Sequence, residues 1–362
     1  MQLNLAKWGN KLHSGEKTYP IVQQKGRWFA FSGLLMAASL ALLLIIGLNP
    51  GIDFRGGSEY VVADVADTSS QIAVDAVAEV VPDQTPRVTQ QGDNNVRVQL
   101  GELDTETSRE LRDALADAYG VSAEDNLQVS TIGPSWGSDV SSKALQSLFL
   151  FLALVSVVMA MYFRAWRMAA AALIALGHDL LFTVGIYAAV GFEVTPASVI
   201  GFLTILGYSL YDTVVVFDKV RENTKDVTTQ TRYTYAELAN LAVNQTLVRS
   251  INTSVVALLP VSAILFIGSF LLGAGTLSDI ALALFVGMAV GTYSSIFVAT
   301  PLEVALRGNE KRIKEHTKKV LAARESGEAT VAVREDGTVK VGALKPGQHR
   351  GTAAQPKRKR RS

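Results

Sequence analysis

Six stretches of the chain are almost continuously apolar, and each is long enough to cross a lipid bilayer. The hydrocarbon core of a membrane accommodates about 20 apolar residues in helical form. The pattern predicts spans over residues 28–48, 144–163, 168–192, 194–217, 250–272 and 280–302. The first span carries no charge, and no small-residue cleavage site follows it. It therefore predicts a retained transmembrane helix rather than a removed signal peptide.

The segment between the first two spans, residues 51–143, is polar and has a different periodicity. It predicts strands over 58–64, 85–91, 94–100 and 127–132, and helices over 69–80 and 104–119. This order, β-α-β-β-α-β, is that of a ferredoxin-like α+β domain. The segment contains no histidine or cysteine, and no spacing typical of a catalytic triad or a metal site. An interaction domain is therefore favoured over an enzyme.

Composition supports a membrane protein. Of the 362 residues, 49% are hydrophobic and only 19% are charged, whereas about a quarter are charged in typical soluble domains. The formal net charge is +1, but the charges are segregated. Residues 1–30 hold five basic and one acidic residue, residues 51–140 hold five and seventeen, and residues 302–362 hold sixteen and seven. The absence of cysteine excludes disulfides and thiolate metal sites.

Basic residues in short loops predict the orientation of the spans. They crowd residues 1–27, the turn between spans two and three, and the loop between spans four and five. We therefore expect a multi-pass membrane protein, with both termini cytoplasmic and residues 51–143 outside. Residues 303–362 are expected to form a disordered basic tail. Its final basic run, residues 357–361, favours contact with anionic lipid, and a ribosomal RNA contact is a weaker alternative.

Span four contains one carboxylate, Asp212, in a position where insertion costs roughly 2.5–3.5 kcal/mol. Ser209 and Tyr208 lie three and four residues earlier on the same helical face and can donate hydrogen bonds to it. Arg249 opens span five, and Asn252 follows it by three residues. Because one loop joins spans four and five, Arg249 is either a counter-ion for Asp212 or an anchor that reaches the lipid headgroups. The residues alone leave these two alternatives open.

Span three carries His178 and Asp179 near its middle. Adjacent helical residues diverge by about 100°, which predicts that these two side chains point apart. Ionisable groups in consecutive spans favour a proton or ion path over isolated hydrogen bonds between helices. No phosphate-binding Gly-x-x-x-x-Gly-Lys-Ser/Thr motif is present, so work driven by a nucleotide bound to this chain is not expected.

Small residues and one proline interrupt the last three spans. We interpret four glycines as positions of close helix packing: Gly201 and Gly207 in span four, and Gly287 and Gly291 in span six. Pro260 frees a backbone carbonyl in span five and predicts a kink there.

Four motifs together resemble the SecF family of bacterial protein-export membrane proteins. Residues Gly51–Gly57 (GIDFRGG) resemble its GLDFxGG signature, and Gly207–Asn223 resembles its GYSLNDTVVVFDRIREN stretch. Arg249–Ser254 (RSINTS) resembles its RTxNTS element, and His178-Asp179 its intramembrane HD pair. The resemblance covers residues 28–302. One departure is Tyr211, where the family often has asparagine beside the aspartate.

The resemblance implies a protein of the bacterial cytoplasmic membrane that forms half of an RND-like twelve-helix bundle. SecD completes this bundle, and the complex works with the SecYEG channel and SecA. It also implies association with YajC and a YidC-type insertase, preprotein substrates, and the proton motive force in place of any cofactor. The family's proton-conducting aspartate and arginine correspond to Asp212 and Arg249. The expected relay comprises Asp212, Arg249, Asp179 and Asn252, with polar support from Tyr208, Ser209, Thr213 and His178, and with a signature loop at Gly51, Asp53, Gly56 and Gly57.

Two alternatives remain. A self-contained RND-type exporter of lipids or drugs is one, although such chains usually carry two helix sets and two large external loops. A passive scaffold or insertase without proton coupling is the other. Replacement of Asp212 by asparagine distinguishes the scaffold from a proton-coupled motor, because only the motor needs a carboxyl group that can take up and release a proton.

Overall fold

The computed structural model describes residues 5–269 and 275–329, together with residues 331, 333, 339 and 341. Its α-helices, numbered in chain order, are Leu5–His13 (α1), Lys25–Ile45 (α2), Ile52–Arg55 (α3), Ser70–Val80 (α4), Thr105–Tyr119 (α5), Pro134–Phe163 (α6), Trp166–Val190 (α7), Pro196–Asn223 (α8), Tyr235–Ala263 (α9), Gly275–Ser294 (α10), Thr300–Gly308 (α11) and Lys311–Glu325 (α12). Two π-helical segments, Ile264–Ser269 and Ser295–Ala299, continue α9 and α10.

Within these described ranges, six helical stretches are long and apolar enough to cross a membrane, which confirms the predicted architecture. Several helices extend beyond the predicted spans. Helix α6 begins at Pro134, inside the segment assigned to the external domain, because proline is well suited to the first turn of a helix. Helix α9 begins at Tyr235 rather than near residue 250, because Thr234 and Glu237 form a capping box that the sequence analysis overlooked.

The external domain contains a four-stranded antiparallel sheet. The strands of the chain are Asn49–Pro50 (β1), Gly57–Val62 (β2), Arg87–Gln91 (β3), Asn95–Leu100 (β4), Leu127–Ile132 (β5) and Glu193–Val194 (β6). The sheet order is β3-β4-β2-β5, and α4 and α5 pack on one face through an apolar core that includes Tyr60, Val77, Val98, Leu111 and Leu115. The predicted ferredoxin-like arrangement is confirmed.

The short strands β1 and β6 pair in parallel and connect the external domain to the membrane helices. Asn49 is opposite Glu193, and Pro50 is opposite Val194. The backbone N–H of Gly51 then donates to the carbonyl of Val194 at 2.9 Å. The start of the signature loop is thereby fixed to the turn between α7 and α8.

Helices α7, α8 and α10 form the centre of the membrane bundle, and close contacts at glycines bring α8 and α10 together. A Cβ atom at Gly201 would lie 2.7 Å from Cβ of Ala283, and one at Gly287 would overlap the side chain of Ile205. Gly291 likewise faces Ser209. The packing interpretation therefore holds for these three glycines. It is wrong for Gly207, which has no atom within 4 Å of an added Cβ.

Pro260 lies inside α9, four residues before the π-helical segment Ile264–Ser269. Because proline removes one backbone donor and its ring displaces the preceding turn, a local change of helical hydrogen bonding is expected here. The irregularity predicted for span five is thus a π-helical segment.

The segment after the last span is partly ordered, which corrects the expectation of a disordered tail from residue 303. Helices α11 and α12 continue to Glu325, and α12 buries Ile313, His316 and Val320. Its apolar positions are few and separated by basic residues, so their helical spacing was missed. Arg324 binds Glu237 at 2.7 Å and fastens α12 to the start of α9. The basic run at 357–361 lies outside the described residues.

Candidate intramembrane site

Asp212 is buried in α8 and accepts hydrogen bonds from two other helical elements. Ser250 of α9 donates its hydroxyl to Oδ1 at 2.7 Å. Ser295, at the start of the second π-helical segment, donates to Oδ2. Each carboxylate oxygen therefore has a hydroxyl donor from a different part of the bundle. Asp212 is 5% exposed, so nearly all of its solvation comes from these protein groups.

Arg249 does not contact Asp212. Its side chain is exposed on the outer surface of α9, and no ion pair joins the two residues among those the structure describes. Ser250, the next residue, occupies the inward position because adjacent helical side chains diverge by about 100°. Asn252 is also exposed. The expected counter-ion contact is therefore absent from this state, and two predicted relay residues lie on the outer face of α9.

A second buried carboxylate lies on α7. Asp179 is 1% exposed, and one of its oxygens lies 3.1 Å from Nδ1 of His178. The expectation that these neighbours point apart is wrong, because both side chains bend towards each other inside the bundle. Ser209 of α8 donates to the other oxygen of Asp179. The site thus links α7 and α8.

Three residues of α8 were expected to give polar support to the relay, and among the described residues none of the three donates a hydrogen bond to Asp212. Ser209 donates its hydrogen bond to Asp179 instead. Tyr208 has a buried hydroxyl with no hydrogen-bond partner within the described part of the chain. Thr213, the residue after Asp212, is buried. Ser209 and Asp212 are three residues apart on one face of α8, so this helix brings the two carboxylates within about one turn of each other.

Sequence reasoning missed the two serines that hold Asp212, because small hydroxyl residues are common in membrane helices and carry no charge. It also missed Glu303, which is 0% exposed in α11 and accepts a 2.6 Å hydrogen bond from Tyr235. Glu303 comes directly after the predicted end of span six and was assigned to the tail. Across the described residues, no group of three or more His, Cys, Asp or Glu side chains could hold a metal ion.

The signature loop packs tightly between the two parts of the molecule. Gly56 and Gly57 have φ angles of 79° and 140°, which favour glycine, and a Cβ at Gly57 would overlap the carbonyl oxygen of Leu100. Asp53 lines a cavity of about 570 Å³ between the external sheet and the ends of α8 and α10. Burial raises the pKa of Asp53, and the carboxylates of Glu59 and Glu193 raise it further.

An ion pair crosses the same cavity. Arg97 of β4 binds Glu193 of β6, which lies in the turn between α7 and α8. Gln99 donates to both Glu193 at 2.9 Å and Glu59 at 2.8 Å. In the same cavity, Thr195 caps α8 and donates its hydroxyl to Asp279 at 3.1 Å. These contacts hold the external domain against the membrane helices.

The fold and the site together define a class of protein: a six-span membrane protein with an external α+β domain and buried carboxylates bonded between neighbouring spans. Comparison with protein families identifies the family. Residues 112–309 match the model of the C-terminal region of the protein-export membrane proteins SecD and SecF, and residues 41–63 match the SecD/SecF GG motif. The chain therefore belongs to the SecD/SecF family, as its motifs indicated.

Individual relatives agree. The protein translocase subunit SecF of Streptomyces coelicolor is 49% identical over 326 residues, which cover 89% of this chain and 85% of that protein. SecF of Mycobacterium tuberculosis H37Rv is 40% identical, over 88% of this chain and 74% of the relative. The solved structure of SecDF from Thermus thermophilus, a translocon-associated membrane protein, matches with a TM-score of 0.71 and 32% identity. That match covers 80% of this chain and 39% of SecDF.

Proposed function

We propose that this chain is the SecF half of a twelve-helix unit completed by SecD, and that the unit uses the proton motive force to promote preprotein translocation through SecYEG with SecA. The observation that carries the proposal is Asp212, a buried membrane carboxylate held by Ser250 and Ser295 from other helical elements. Ionisable residues at such positions typically serve ion or proton movement. Association with YajC and a YidC-type insertase is part of the same proposal.

The outer face of α9 is polar, and this is explained if the chain forms only half of a bundle whose other half covers that face. Arg249 and Asn252 are exposed there, next to apolar residues such as Val255 and Val256. Lipid cannot satisfy polar groups at membrane depth, whereas a polar-bearing helix of a partner can. We infer that SecD covers this face. The same topology has both termini in the cytoplasm and the external domain on the opposite side, as the basic loops favour.

The two neighbours on α9 suggest how a proton could change the state of the unit. Ser250 binds Asp212 in the present state, and Arg249 lies about 100° around the helix. A rotation of α9 about its own axis by about 100° would exchange the serine for the arginine. Movement of one charge across 100 mV supplies about 2.3 kcal/mol, which such a two-state change can use.

Asp212→Asn tests the proposal. The amide keeps the size of the side chain and accepts a hydrogen bond, so insertion and assembly should persist while proton uptake is lost. The measurement is preprotein translocation into inverted vesicles containing the chain and SecD, with and without a proton gradient. Arg249→Met should also reduce the gradient-dependent part. Asp218→Asn, on the same helix, is the matched control, and Asp53→Asn is a control in the external loop; neither should abolish proton flux directly.

Full gradient-dependent stimulation in Asp212→Asn would contradict proton coupling and favour a passive scaffold or insertase. A self-contained exporter makes a different prediction. It would transport lipids or drugs without SecD, and its membrane half-life would not depend on co-expression of a six-helix partner. We expect a shorter half-life when the chain is expressed alone.

A further inference from the structure

Among the residues that the structure describes, the proposed relay leaves a buried carboxylate unused. Glu303 of α11 is 0% exposed, and its Oε1 accepts a 2.6 Å hydrogen bond from the hydroxyl of Tyr235 at the start of α9. Its Oε2 is buried and has no hydrogen-bond partner in the part of the chain that the structure describes. A buried carboxyl oxygen without a donor is costly when the group is charged. The open oxygen can accept a proton without breaking an existing hydrogen bond.

One arginine lies between Glu303 and a second carboxylate. Nη1 of Arg307 is 3.9 Å from Oε1 of Glu303, and its Nε is 3.5 Å from Oε1 of Glu310. Arg167 of α7 also binds Glu310, at 2.7 Å. The guanidinium lies over the ring of Tyr235, 5.2 Å from its centroid. Arg307 can therefore approach either carboxylate with a small movement.

Tyr235, which donates to Glu303, and the neighbouring Val304 belong to an apolar cluster. Helix α8 contributes Val216 and Val220 to the cluster that also contains Tyr235 and Val304. The titratable or charged groups that the packed helices present around Glu303 are thus Tyr235 from α9, Arg307 and Glu310 after it in sequence, and Arg167 from α7 through Glu310.

A continuous helical path joins this cluster to Asp212. Ser295, which donates to Asp212, begins the π-helical segment of the last span, and Thr300 donates its hydroxyl to the carbonyl of Ser295 at 3.2 Å. Glu303 follows Thr300 by three residues on the same face. At 1.5 Å per residue, Glu303 lies about 12 Å beyond Ser295, towards the end away from the external domain. Single π-helical turns are frequent at functional sites.

We propose that Glu303 is a second proton-carrying carboxylate, which receives the proton after Asp212 and releases it to the cytoplasm. This inference rests on the proposed proton-coupled function. Because the two carboxyl groups are too far apart for direct transfer, water entering between them carries the proton. The O–H bond of neutral Asp212 breaks as a water molecule accepts the proton, and a neighbouring water gives up a proton to form the O–H bond on Oε2 of Glu303. That bond later breaks as the proton passes to water at the inner end of the bundle. While Glu303 is neutral, Arg307 pairs with Glu310. Once Glu303 is ionised, Arg307 is attracted back to it, which opposes return of the proton.

Glu303→Gln separates this role from a purely structural one. The amide oxygen still accepts the hydrogen bond from Tyr235, so the contact between α9 and α11 is kept, but the side chain cannot carry a proton. Glu222→Gln is the matched control, because Glu222 lies near the inner end of α8 with a 69% exposed side chain. Each variant is reconstituted with SecD in vesicles. Co-purification with SecD, proton flux reported by a pH-sensitive dye, and preprotein translocation are measured.

We expect Glu303→Gln to assemble normally and to lose proton flux by about 100-fold, the lower range for removal of a positioned proton-transfer group. Glu222→Gln should retain full flux. Wild-type flux in an assembled Glu303→Gln protein would overturn the inference. If Asp212→Asn abolishes flux and Glu303→Gln does not, only Glu303 is excluded; if neither variant loses flux, the proton-coupled function itself fails.

A second measurement uses the unaltered protein and does not depend on the folding of a variant. Hydrophobic carbodiimides add to protonated carboxyl groups within membranes. Labelling followed by peptide mass spectrometry should modify Glu303 and leave Glu222 unmodified, and the extent at Glu303 should fall as pH rises. Absence of labelling at Glu303 across the pH range in which the protein is active would also overturn the inference.

Discussion

Ser209 on α8 donates its hydroxyl to Asp179 on α7, although it lies on the same helical face as Asp212. One turn of α8 is therefore linked to both buried carboxylates. Ser209 in this turn binds Asp179, and the turn itself carries Asp212. A change in the charge of either carboxyl group therefore acts on the same helix. This arrangement gives α8 the central position in any coupled movement.

Ser209→Ala should destabilise the membrane bundle. It removes a buried hydrogen bond from Asp179, for which the expected cost is about 1–3 kcal/mol in the free energy of unfolding. Ser262→Ala is the matched control, because Ser262 donates only to a backbone carbonyl of its own helix, at Leu258. Thermal unfolding in detergent compares the two, and equal transition temperatures would argue against the Ser209–Asp179 contact.

Gly287→Ala should separate α8 from α10. An added Cβ would overlap the side chain of Ile205, and overpacking of this kind typically costs about 1–3 kcal/mol. Ile205→Ala in the same chain should restore part of the lost stability, because it removes the atoms that clash. Gly207→Ala, with open space around its Cβ, should be neutral. No recovery in the double variant would mean that the clash lies elsewhere.

The six spans and the external domain could be predicted because their patterns are local. Twenty apolar residues define a span, and alternating or helical periodicity defines each element between residues 58 and 132. Helix α12 could not be found in this way, because its buried positions, such as Ile313 and Val320, are separated by basic residues. Ile313 packs into the apolar cluster that includes Tyr235 of α9. Tertiary contact, rather than periodicity, orders this segment.

The candidate site was predicted only in part, for a similar reason. A carboxylate within an apolar stretch is conspicuous, so Asp212 and Asp179 were identified. The groups that bind them were not, since the helical face shared by Ser209 and Asp212 does not reveal which neighbouring helix lies closer to each. Only the packing of α7, α9 and the π-helical segment against α8 assigns Ser209, Ser250 and Ser295 to their partners.

Asp53→Asn should change how stability depends on pH. Burial, with repulsion from Glu59 and Glu193, raises the pKa of Asp53 above its unfolded value of 3.8. The folded state therefore binds this proton more tightly, and the stability it contributes is lost as pH rises from 3.8 through the raised folded pKa. Asparagine does not ionise, so the variant does not lose this stability as pH rises. It should be more stable than the wild type near neutral pH, and the advantage should shrink in acid.

Thermal unfolding at a series of pH values measures this effect. Asp83→Asn is a suitable control, because Asp83 is exposed in the loop before β3. The prediction is contradicted if the unfolding temperatures of the wild-type and Asp53→Asn proteins depend on pH in the same way. In that case the cavity around Asp53 is too well hydrated to raise the pKa of its carboxyl group.

Single cysteines should report the topology directly, because the chain contains none of its own. A cysteine at Ser69, before α4 of the external domain, should react with a membrane-impermeant maleimide in intact cells. A cysteine at Ser326, directly after α12, should react only in inverted vesicles. Both positions lie at helix ends, so folding should be unaffected. Five spans separate the two positions, so labelling of both from the same side would contradict the six-span topology.

The ion pair between Arg97 and Glu193 should hold the external domain against the membrane helices. Arg97→Met leaves Glu193 beside Glu59 without its cation, so it should weaken the adjacent β1–β6 pair. Hydrogen exchange at the Gly51 amide, which donates to Val194, reports that weakening. Glu193→Gln in the same chain removes the unpaired charge and should restore part of the protection. The double-mutant cycle should give a coupling of about 0.5–3 kcal/mol, as expected for residues in direct contact. Strictly additive effects would show that Arg97 stabilises only its own domain, and that β1 and β6 alone hold the two parts together.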